Sequence, residues 1–195
     1  MSRRNLILIA ACVVGLAVLT GLAWRAGVFA NAPSGGPGGA FQLVDQTGKP
    51  VTETVLKGKW SAVFFGYTYC PDVCPTTMAS MAQAQEQLGP KAKDVQFVFI
   101  TIDPERDTPA KLAAYLSNDA FPKGTIGLTG SPAQVAVAAK AYRVFYEKAG
   151  TGQDYLMNHS TPTYLMDPKG RFQRVLPFGI GPDEIARQMS DAMRG

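Results

Sequence analysis

The sequence predicts an α/β domain with parallel central strands, preceded by a membrane-spanning segment. Strand-like apolar runs alternate with helical patterns from residue 41 onwards, and four of the helical segments carry a proline at their start. A strand, a crossover helix and a further strand normally form a unit with parallel strands, so this order indicates a parallel sheet. Residues 6–24 contain no charged side chain, which predicts the membrane segment.

The apolar segment is interpreted as an uncleaved signal anchor. As a helix, residues 6–24 nearly span a hydrocarbon core of about 30 Å. Two arginines precede the segment and one follows closely, so the positive-inside rule places residues 1–5 in the cytoplasm. A cleaved signal peptide, with residues 30–32 as its cleavage site, is the alternative. Residues 25–40 are rich in Gly, Pro and Ser, which predicts a flexible linker.

Length and composition limit the number of domains, the kinds of partner and the location of the protein. The 195 residues suffice for one domain with a core, here residues 41–195, plus attachments. The formal net charge of +4 comes mostly from the flanks of the apolar segment, so no nucleic-acid-binding surface is expected. No room for a transit peptide precedes residue 6. We therefore expect a single-pass protein of a bacterial inner membrane, with its soluble domain in the periplasm.

The elements of the domain follow from local patterns. A hairpin, a buried strand, a long helix and four further strands are expected at residues 41–52, 60–65, 76–88, 95–102, 125–128, 163–167 and 172–176. Three more helices are expected to open at Pro109, Pro132 and Pro182, because proline fits the first helical turn, where its missing N–H is not needed. This is the layout of a thioredoxin-like domain with an N-terminal β-hairpin extension and an insertion.

Two cysteines at the strand-to-helix turn are the centre of the predicted chemistry. Cys70 and Cys74 follow the strand at residues 60–65, where the positive end of the next helix favours thiolate over thiol. In the predicted layout, this turn lies beside a loop at residues 158–162. That loop contains His159, the single histidine of the chain. Two thiolates and an imidazole suit copper, or zinc with a fourth ligand.

The residues around these cysteines resemble the Sco/SenC family of copper-binding assembly factors for cytochrome c oxidase. The motif Cys-Pro-Asp-x-Cys-Pro and the distal histidine carry the resemblance, together with residues 66–75, 101–109, 158–160 and 164–168. The resemblance implies a thioredoxin fold and a copper ion on Cys70, Cys74 and His159. It also implies delivery of that copper to the binuclear copper centre of oxidase subunit II. Soft sulfur favours Cu(I), and the imidazole permits Cu(II).

Four further residues are weaker candidates around the site. Asp72, between the cysteines, is expected either to orient the loop, to meet a partner, or only to stabilise a turn. Asp103 is a candidate acceptor for His159 or a loop-fixing residue, and Met157 is a candidate transient thioether ligand or a core residue. Pro162 resembles the cis-proline element of thioredoxin-like oxidoreductases.

Disulfide chemistry is the main alternative to metal transport. A thiol–disulfide reductase would use the same two cysteines to prepare the target's cysteines and would not need an imidazole ligand. A peroxidase of the peroxiredoxin type is a more distant possibility. A redox-active Cys70–Cys74 disulfide would also prevent metal binding, since it contains no thiolate. Another periplasmic copper chaperone or a thiol reductant is expected as a further partner.

Overall fold

The computed structural model describes Asn5 and residues 35–194. The chain forms nine strands, four α-helices and two short 3₁₀ helices within residues 35–194. The strands are β1 (Gln42–Asp45), β2 (Pro50–Thr52), β3 (Trp60–Gly66), β4 (Val95–Thr101), β5 (Ile126–Thr129), β6 (Tyr146–Ala149), β7 (Leu156–His159), β8 (Thr163–Met166) and β9 (Phe172–Leu176). The α-helices are α1 (Val73–Gln87), α2 (Pro109–Leu116), α3 (Pro132–Ala141) and α4 (Pro182–Ala192), and the 3₁₀ helices are Glu53–Leu56 and Gly89–Asp94.

Seven strands form one mixed sheet with the order β2-β1-β5-β4-β3-β8-β9. β3, β4 and β5 are parallel, as predicted. The hairpin β1–β2 extends one edge of the sheet, and β8 and β9 add antiparallel strands beside β3. The predicted mixed α/β architecture, including the N-terminal hairpin, is therefore confirmed.

A second, two-stranded sheet was not predicted. β6 and β7 pair in antiparallel fashion, and we call residues 146–159 the histidine hairpin. Residues 158 and 159 therefore belong to a strand, and the expectation of a loop from residue 158 is wrong. Of the eight strand side chains only that of Met157 is buried, so the hairpin lacks the alternating pattern that marks a strand in the sequence.

Helix α1 begins earlier than expected. It starts at Val73 rather than at residue 76, so that Cys74 lies inside its first turn. Pro75 is the third residue of the helix, where its missing N–H leaves no intrahelical hydrogen bond unmade. Pro109, Pro132 and Pro182 are the first residues of α2, α3 and α4, as the sequence predicts.

Two clusters of buried side chains form the core. One joins α1 and α4 to the sheet through Met81, Ala84, Ile185, Met189 and Leu165. The larger one joins α2 and α3 to the sheet and extends to Cys74, and it includes Phe65, Phe99, Leu112, Val135 and Tyr142. Buried apolar side chains thus surround the carboxyl ends of β3 and β4, and the loops of the site begin there. We call these side chains the apolar frame.

The predicted membrane segment lies outside the described residues. Among Asn5 and residues 35–194, no helix is both long and apolar enough to cross a membrane. The assignments of residues 6–24 as an anchor and of residues 1–5 as cytoplasmic stay predictions. The same holds for most of the linker at residues 25–40.

Arg143 adopts a left-handed backbone conformation where α3 ends. Its φ is 58°, the single positive φ of a non-glycine residue among the residues described. Arg143 N–H donates to Lys140 O at 3.1 Å, and Val144 N–H donates to Ala139 O at 2.8 Å. This is a Schellman motif, whose left-handed position is usually occupied by glycine. The motif turns the chain from α3 into the histidine hairpin.

Replacing this arginine by glycine is expected to stabilise the domain. Arg143→Gly removes a left-handed strain of about 1–2 kcal/mol, partly offset by the greater freedom of glycine in the unfolded chain. We therefore expect urea denaturation to show a gain of about 0.5–1 kcal/mol in the free energy of unfolding. Lys140→Gly, inside α3, is the control and is expected to lose about 1 kcal/mol. A loss of stability in Arg143→Gly would contradict this account of the turn.

Candidate metal centre

Strand register brings the histidine hairpin to the cysteines. β8 is antiparallel to β3 and begins at Thr163, which lies opposite Phe64 near the carboxyl end of β3. The residues before Thr163 therefore extend past that end of β3. There the chain leaves the sheet as the cysteine loop, residues 67–72. His159 ends β7 at this point, and its Nε2 lies 3.8 Å from Cys74 Sγ.

The two cysteines differ in position and exposure. Cys74 is fully buried in the first turn of α1, whereas Cys70 lies before the helix and is half-buried. The backbone N–H of Cys74 donates to Cys70 Sγ at 3.4 Å. A sulfur thus accepts from one of the N–H groups that are unpaired at a helix start, a role that a capping oxygen normally has. Neither cysteine forms a disulfide.

Hydrogen bonding fixes the tautomer of His159. Its Nδ1 lies 2.8 Å from the carbonyl oxygen of Ser160, which can only accept, so Nδ1 carries the proton. In the neutral imidazole, Nε2 is then unprotonated, and it is the nitrogen that faces Cys74. The rings of Tyr67 and Phe64 meet the imidazole edge-on, at centroid distances of 5.9 and 6.3 Å. The ring is thus oriented as metal-ligating histidines are.

The spacing of sulfur and nitrogen fits a shared ion. A metal with bonds of about 2.3 Å to sulfur and about 2.0 Å to nitrogen, at a near-tetrahedral angle, holds the two atoms about 3.5 Å apart. Cys74 Sγ and His159 Nε2 are close to that separation. Within residues 35–194, no three His, Cys, Asp or Glu side chains already converge on one point. The three candidate donors therefore do not form a complete metal-binding group in this geometry.

One proton is unequally shared between the cysteines. A hydrogen bond from the Cys74 thiol lowers the pKa of Cys70 to about 3, although burial opposes this shift. The hydrogen bond to Cys70 and burial both raise the pKa of Cys74. At neutral pH the pair therefore consists of an accessible thiolate and a buried thiol.

Gly66 leaves space for the buried sulfur. A Cβ at this position would lie 2.9 Å from Cys74 Sγ, 2.8 Å from a ring carbon of Phe64 and 3.0 Å from a ring carbon of Phe99. Contacts this short force neighbouring atoms to move. Glycine at the end of β3 thus allows Cys74 to pack directly against the sheet.

The loop at residues 103–107, between β4 and α2, braces the cysteine loop. Asp107 is fully buried and accepts hydrogen bonds from Thr68 N at 3.0 Å, Thr68 Oγ1 at 2.6 Å and Thr101 Oγ1 at 2.6 Å. Burial raises the pKa of Asp107, and the hydrogen bonds from Thr101 and Thr68 oppose this. We call residues 103–107 the bracing loop, because it ties the start of the cysteine loop to the end of β4.

The bracing loop also holds the histidine hairpin. Tyr155 Oη donates to Asp103 Oδ1 at 2.6 Å, and Lys148 Nζ pairs with Glu105 at 2.6 Å. Burial and the bond to Asp103 raise the pKa of Tyr155 to about 12, so that its hydroxyl keeps its proton. The other carboxylate oxygen of Asp103 pairs with Arg106. Asp103 thus fixes loops rather than accepting a hydrogen bond from His159.

The side chains of the other candidate residues lie around the site and form no described hydrogen bond with the three donor atoms, although the backbone N–H of Asp72 donates to Cys70. Asp72 is exposed and accepts from Thr76 Oγ1 at 3.1 Å, across the start of α1. Met157 is buried in the core on β7. Pro162 is half-buried, and its preceding peptide bond is trans, as are all peptide bonds that the structure describes.

Sequence reasoning missed the residues that support the site. Gly66, Thr68, Arg106 and Tyr155 contact the cysteines or the loops that carry the ligands, and none was singled out for such a role. A glycine directly after an apolar strand was a usable signal for Gly66. The long-range partners Thr68–Asp107 and Tyr155–Asp103 leave no local pattern in the sequence.

The fold and the site together define a class of protein. Its members are thioredoxin-like domains with two cysteines at the start of a helix and a histidine beside them. Residues 31–194 match the sequence model of the SCO1/SenC family, so the chain belongs to that family. Protein SenC of Rhodobacter capsulatus is 45% identical over 158 residues, which make up 80% of this chain and 69% of SenC.

Solved structures agree with this assignment. The structure of Bradyrhizobium japonicum ScoI with copper bound matches at a TM-score of 0.72 and 45% identity, covering 81% of this chain and 98% of that one. BsSco matches at a TM-score of 0.66 and 26% identity, covering 83% and 96%. BsSco is described as having a disulfide switch and as a member of the Sco family of cytochrome c oxidase assembly proteins. The predicted family resemblance is confirmed.

The unequal thiols predict a distinctive pH profile of alkylation. Thiolate is the nucleophile, so Cys70 is expected to react with iodoacetamide at a rate that stays flat from pH 8 to pH 5. The rate should fall only as the pH approaches the pKa of about 3. Cys74 should stay unmodified in the folded domain. Site-resolved mass spectrometry measures both rates. In urea, both rates should fall about tenfold per pH unit below about 8.5. The same fall for folded Cys70 would contradict the assignment.

Filling the space at Gly66 is expected to destabilise the domain. Gly66→Ala overpacks the contact with Cys74, which costs about 1–3 kcal/mol in the free energy of unfolding. Urea denaturation measures the loss. Combining it with Cys74→Ala removes the sulfur, so the double variant should lose less than the sum of the two single losses. Additivity within about 0.3 kcal/mol would show that the sulfur is not the obstacle.

Proposed function

We propose that the chain binds copper through Cys70, Cys74 and His159 and delivers it to the binuclear copper centre of cytochrome c oxidase subunit II. The observation that carries this proposal is the 3.8 Å separation of Cys74 Sγ and His159 Nε2, with the unprotonated nitrogen facing the sulfur. Two sulfurs and one nitrogen suit copper, whereas zinc normally takes four ligands. The copper-bound structure of ScoI supports the same choice of metal.

The arrangement of the ligands suggests how copper enters and leaves. The Cys70 thiolate is the accessible donor and meets the ion first. Cys74 then loses its proton as its sulfur binds, and His159 supplies Nε2 without losing a proton. Three ligands leave room for a sulfur or nitrogen of the target to approach the same ion, so copper passes by ligand exchange. A disulfide between the cysteines removes both thiolates, so only the reduced protein binds.

The proposed location follows from the N-terminal sequence. A helix at residues 6–24 anchors the chain in a bacterial inner membrane, and the linker at residues 25–40 lets the domain reach a neighbour on the periplasmic side. A second periplasmic copper chaperone is the proposed donor of the metal. A thiol reductant is the proposed partner that keeps the cysteines reduced.

A thiol–disulfide reductase is the second candidate, and the unequal cysteines favour it. An accessible thiolate and a buried thiol suit attack on a target disulfide, followed by displacement of the mixed disulfide. In that reaction Cys70 and Cys74 become the disulfide and the target gains two thiols, so a thiol reductant must regenerate the protein. The disulfide switch named for BsSco is compatible with this second candidate.

Removal of the imidazole separates the two functions. We expect reduced wild-type domain to bind one copper per chain. His159→Ala should lose more than about 100-fold in Cu(II) affinity, since even residues behind the ligands contribute about 10–100-fold. Metal analysis measures binding, thiol titration confirms that both cysteines stay reduced, and assembled oxidase is assayed in cells. Loss of copper binding and assembly supports the chaperone.

Asn158→Ala is the matched control, because Asn158 is exposed on the same strand and bonds only to Glu147 in the described structure. It is expected to bind copper as wild type does. Full assembly activity in His159→Ala would contradict the chaperone and favour the reductase. No copper on the reduced wild-type domain would contradict the metal site itself.

A further inference from the structure

Arg106 contacts both halves of the site. Its guanidinium carbon lies 4.6 Å from the ring centroid of Tyr69 and 3.6 Å from that of Tyr155. Tyr69 belongs to the cysteine loop and directly precedes Cys70. Tyr155 belongs to the histidine hairpin, four residues before His159. Arg106 thus lies between the segments that carry the sulfurs and the imidazole.

Hydrogen bonds fix the guanidinium in this place. Arg106 Nε donates to Asp103, which is only 2% exposed, and Nη1 donates to Gln153 O at the turn of the histidine hairpin, at 3.3 Å. Nη2 is buried and has no hydrogen-bond partner within the part of the chain that the structure describes. A buried, unpaired donor costs free energy, so the aromatic faces must offset that cost.

A direct hydrogen bond reinforces the same junction. Tyr69 Oη donates to Asp154 Oδ1 at 3.1 Å and so connects the cysteine loop to the turn of the histidine hairpin. Lys148 Nζ lies 4.3 Å from the Tyr155 ring but belongs to the hairpin itself and has no described contact with the cysteine loop. Arg106 and Tyr69 therefore join the two segments, whereas Lys148 only supports one of them.

We propose that Arg106 is a positioning residue that holds His159 within coordinating distance of the cysteine sulfurs. In this way it increases the affinity of the site for Cu(II). This inference rests on the proposed copper function. Cu(I) is soft, and two thiolates satisfy it, whereas Cu(II) depends more on the imidazole. Loosening the junction between the two segments should therefore weaken Cu(II) binding more than Cu(I) binding.

The test uses Arg106→Lys, which keeps a positive charge beside Asp103 and loses the planar face and the reach to Gln153. We expect about a tenfold loss in Cu(II) affinity, the lower end for residues that orient metal ligands, and less than about a threefold change for Cu(I). A tenfold decrease in the ratio of the Cu(II) affinity to the Cu(I) affinity raises the reduction potential of bound copper by about 59 mV. Anaerobic titration of both oxidation states and potentiometry measure these quantities.

Two further variants make the test specific. Tyr69→Leu removes the ring under Arg106 and the bond to Asp154, at a half-exposed position where folding is not at risk, and should shift the ratio in the same direction. Lys111→Gln removes an exposed cation on α2 whose side chain has no described hydrogen bond or ion pair, and it should leave the ratio within about threefold of wild type. An equal shift in Lys111→Gln would overturn the specific role of Arg106.

A measurement on the copper-free protein tests whether Arg106 positions His159, independently of the proposed function. In wild-type apoprotein, NOE contacts are expected between the rings of His159 and Tyr67, whose centroids are 5.9 Å apart. These contacts should weaken in Arg106→Lys and in Tyr69→Leu. Unchanged contacts would overturn the inference even if copper binds, and a wild-type protein that binds no copper would overturn only the proposed function. Equal losses for both oxidation states, together with a lower melting temperature, would reduce Arg106 to a structural role and overturn the inference.

Discussion

Two buried carboxylates at the carboxyl end of β4 hold the site together. Asp107 accepts three hydrogen bonds, two of them from Thr68 at the start of the cysteine loop, and Asp103 accepts from Tyr155 of the histidine hairpin. Both carboxylates are buried, and these hydrogen bonds compensate for the water that burial removes. The bracing loop thus couples the positions of the sulfurs to that of the imidazole, although the segments are some 85 residues apart in the chain.

The chemistry of the site follows from a hydrogen bond between two thiols that differ in burial. Cys74 sits against Gly66 inside the apolar frame and keeps its proton, while Cys70 remains accessible and ionised. Ser160 fixes the proton of His159 on the nitrogen that points away from the sulfurs. The same asymmetry suits both proposed functions, ligand exchange and thiol–disulfide exchange, and a metal carrier needs the imidazole whereas a reductase does not.

The sequence predicted the main sheet and the helices that cover it better than the histidine hairpin and the start of α1. Apolar strands and proline-marked helix starts are local signals, and they located β3, β4, α2, α3 and α4 closely. The histidine hairpin escaped because seven of its eight strand side chains are at least partly exposed, and its stability comes from distant partners. The early start of α1 was not predicted because proline favours the first helical position, whereas Pro75 occupies the third position of α1.

The candidate ligands were found from chemistry and topology, whereas the residues that orient them were not. Cys70, Cys74 and the single histidine stand out by residue type, and a strand antiparallel to β3 must begin near the cysteine loop. Arg106 and Tyr155 are ordinary residue types whose role depends on contacts made across the fold. Three-dimensional packing, and not the pattern along the chain, reveals them.

X-ray absorption spectroscopy of the copper-loaded, reduced protein tests the central claim most directly, because it counts the atoms bound to the metal. The account predicts two sulfurs and one imidazole nitrogen on each copper of the wild-type protein. Copper surrounded by sulfur alone, or by oxygen and nitrogen without both sulfurs, would contradict the assignment of Cys70, Cys74 and His159 as a joint site.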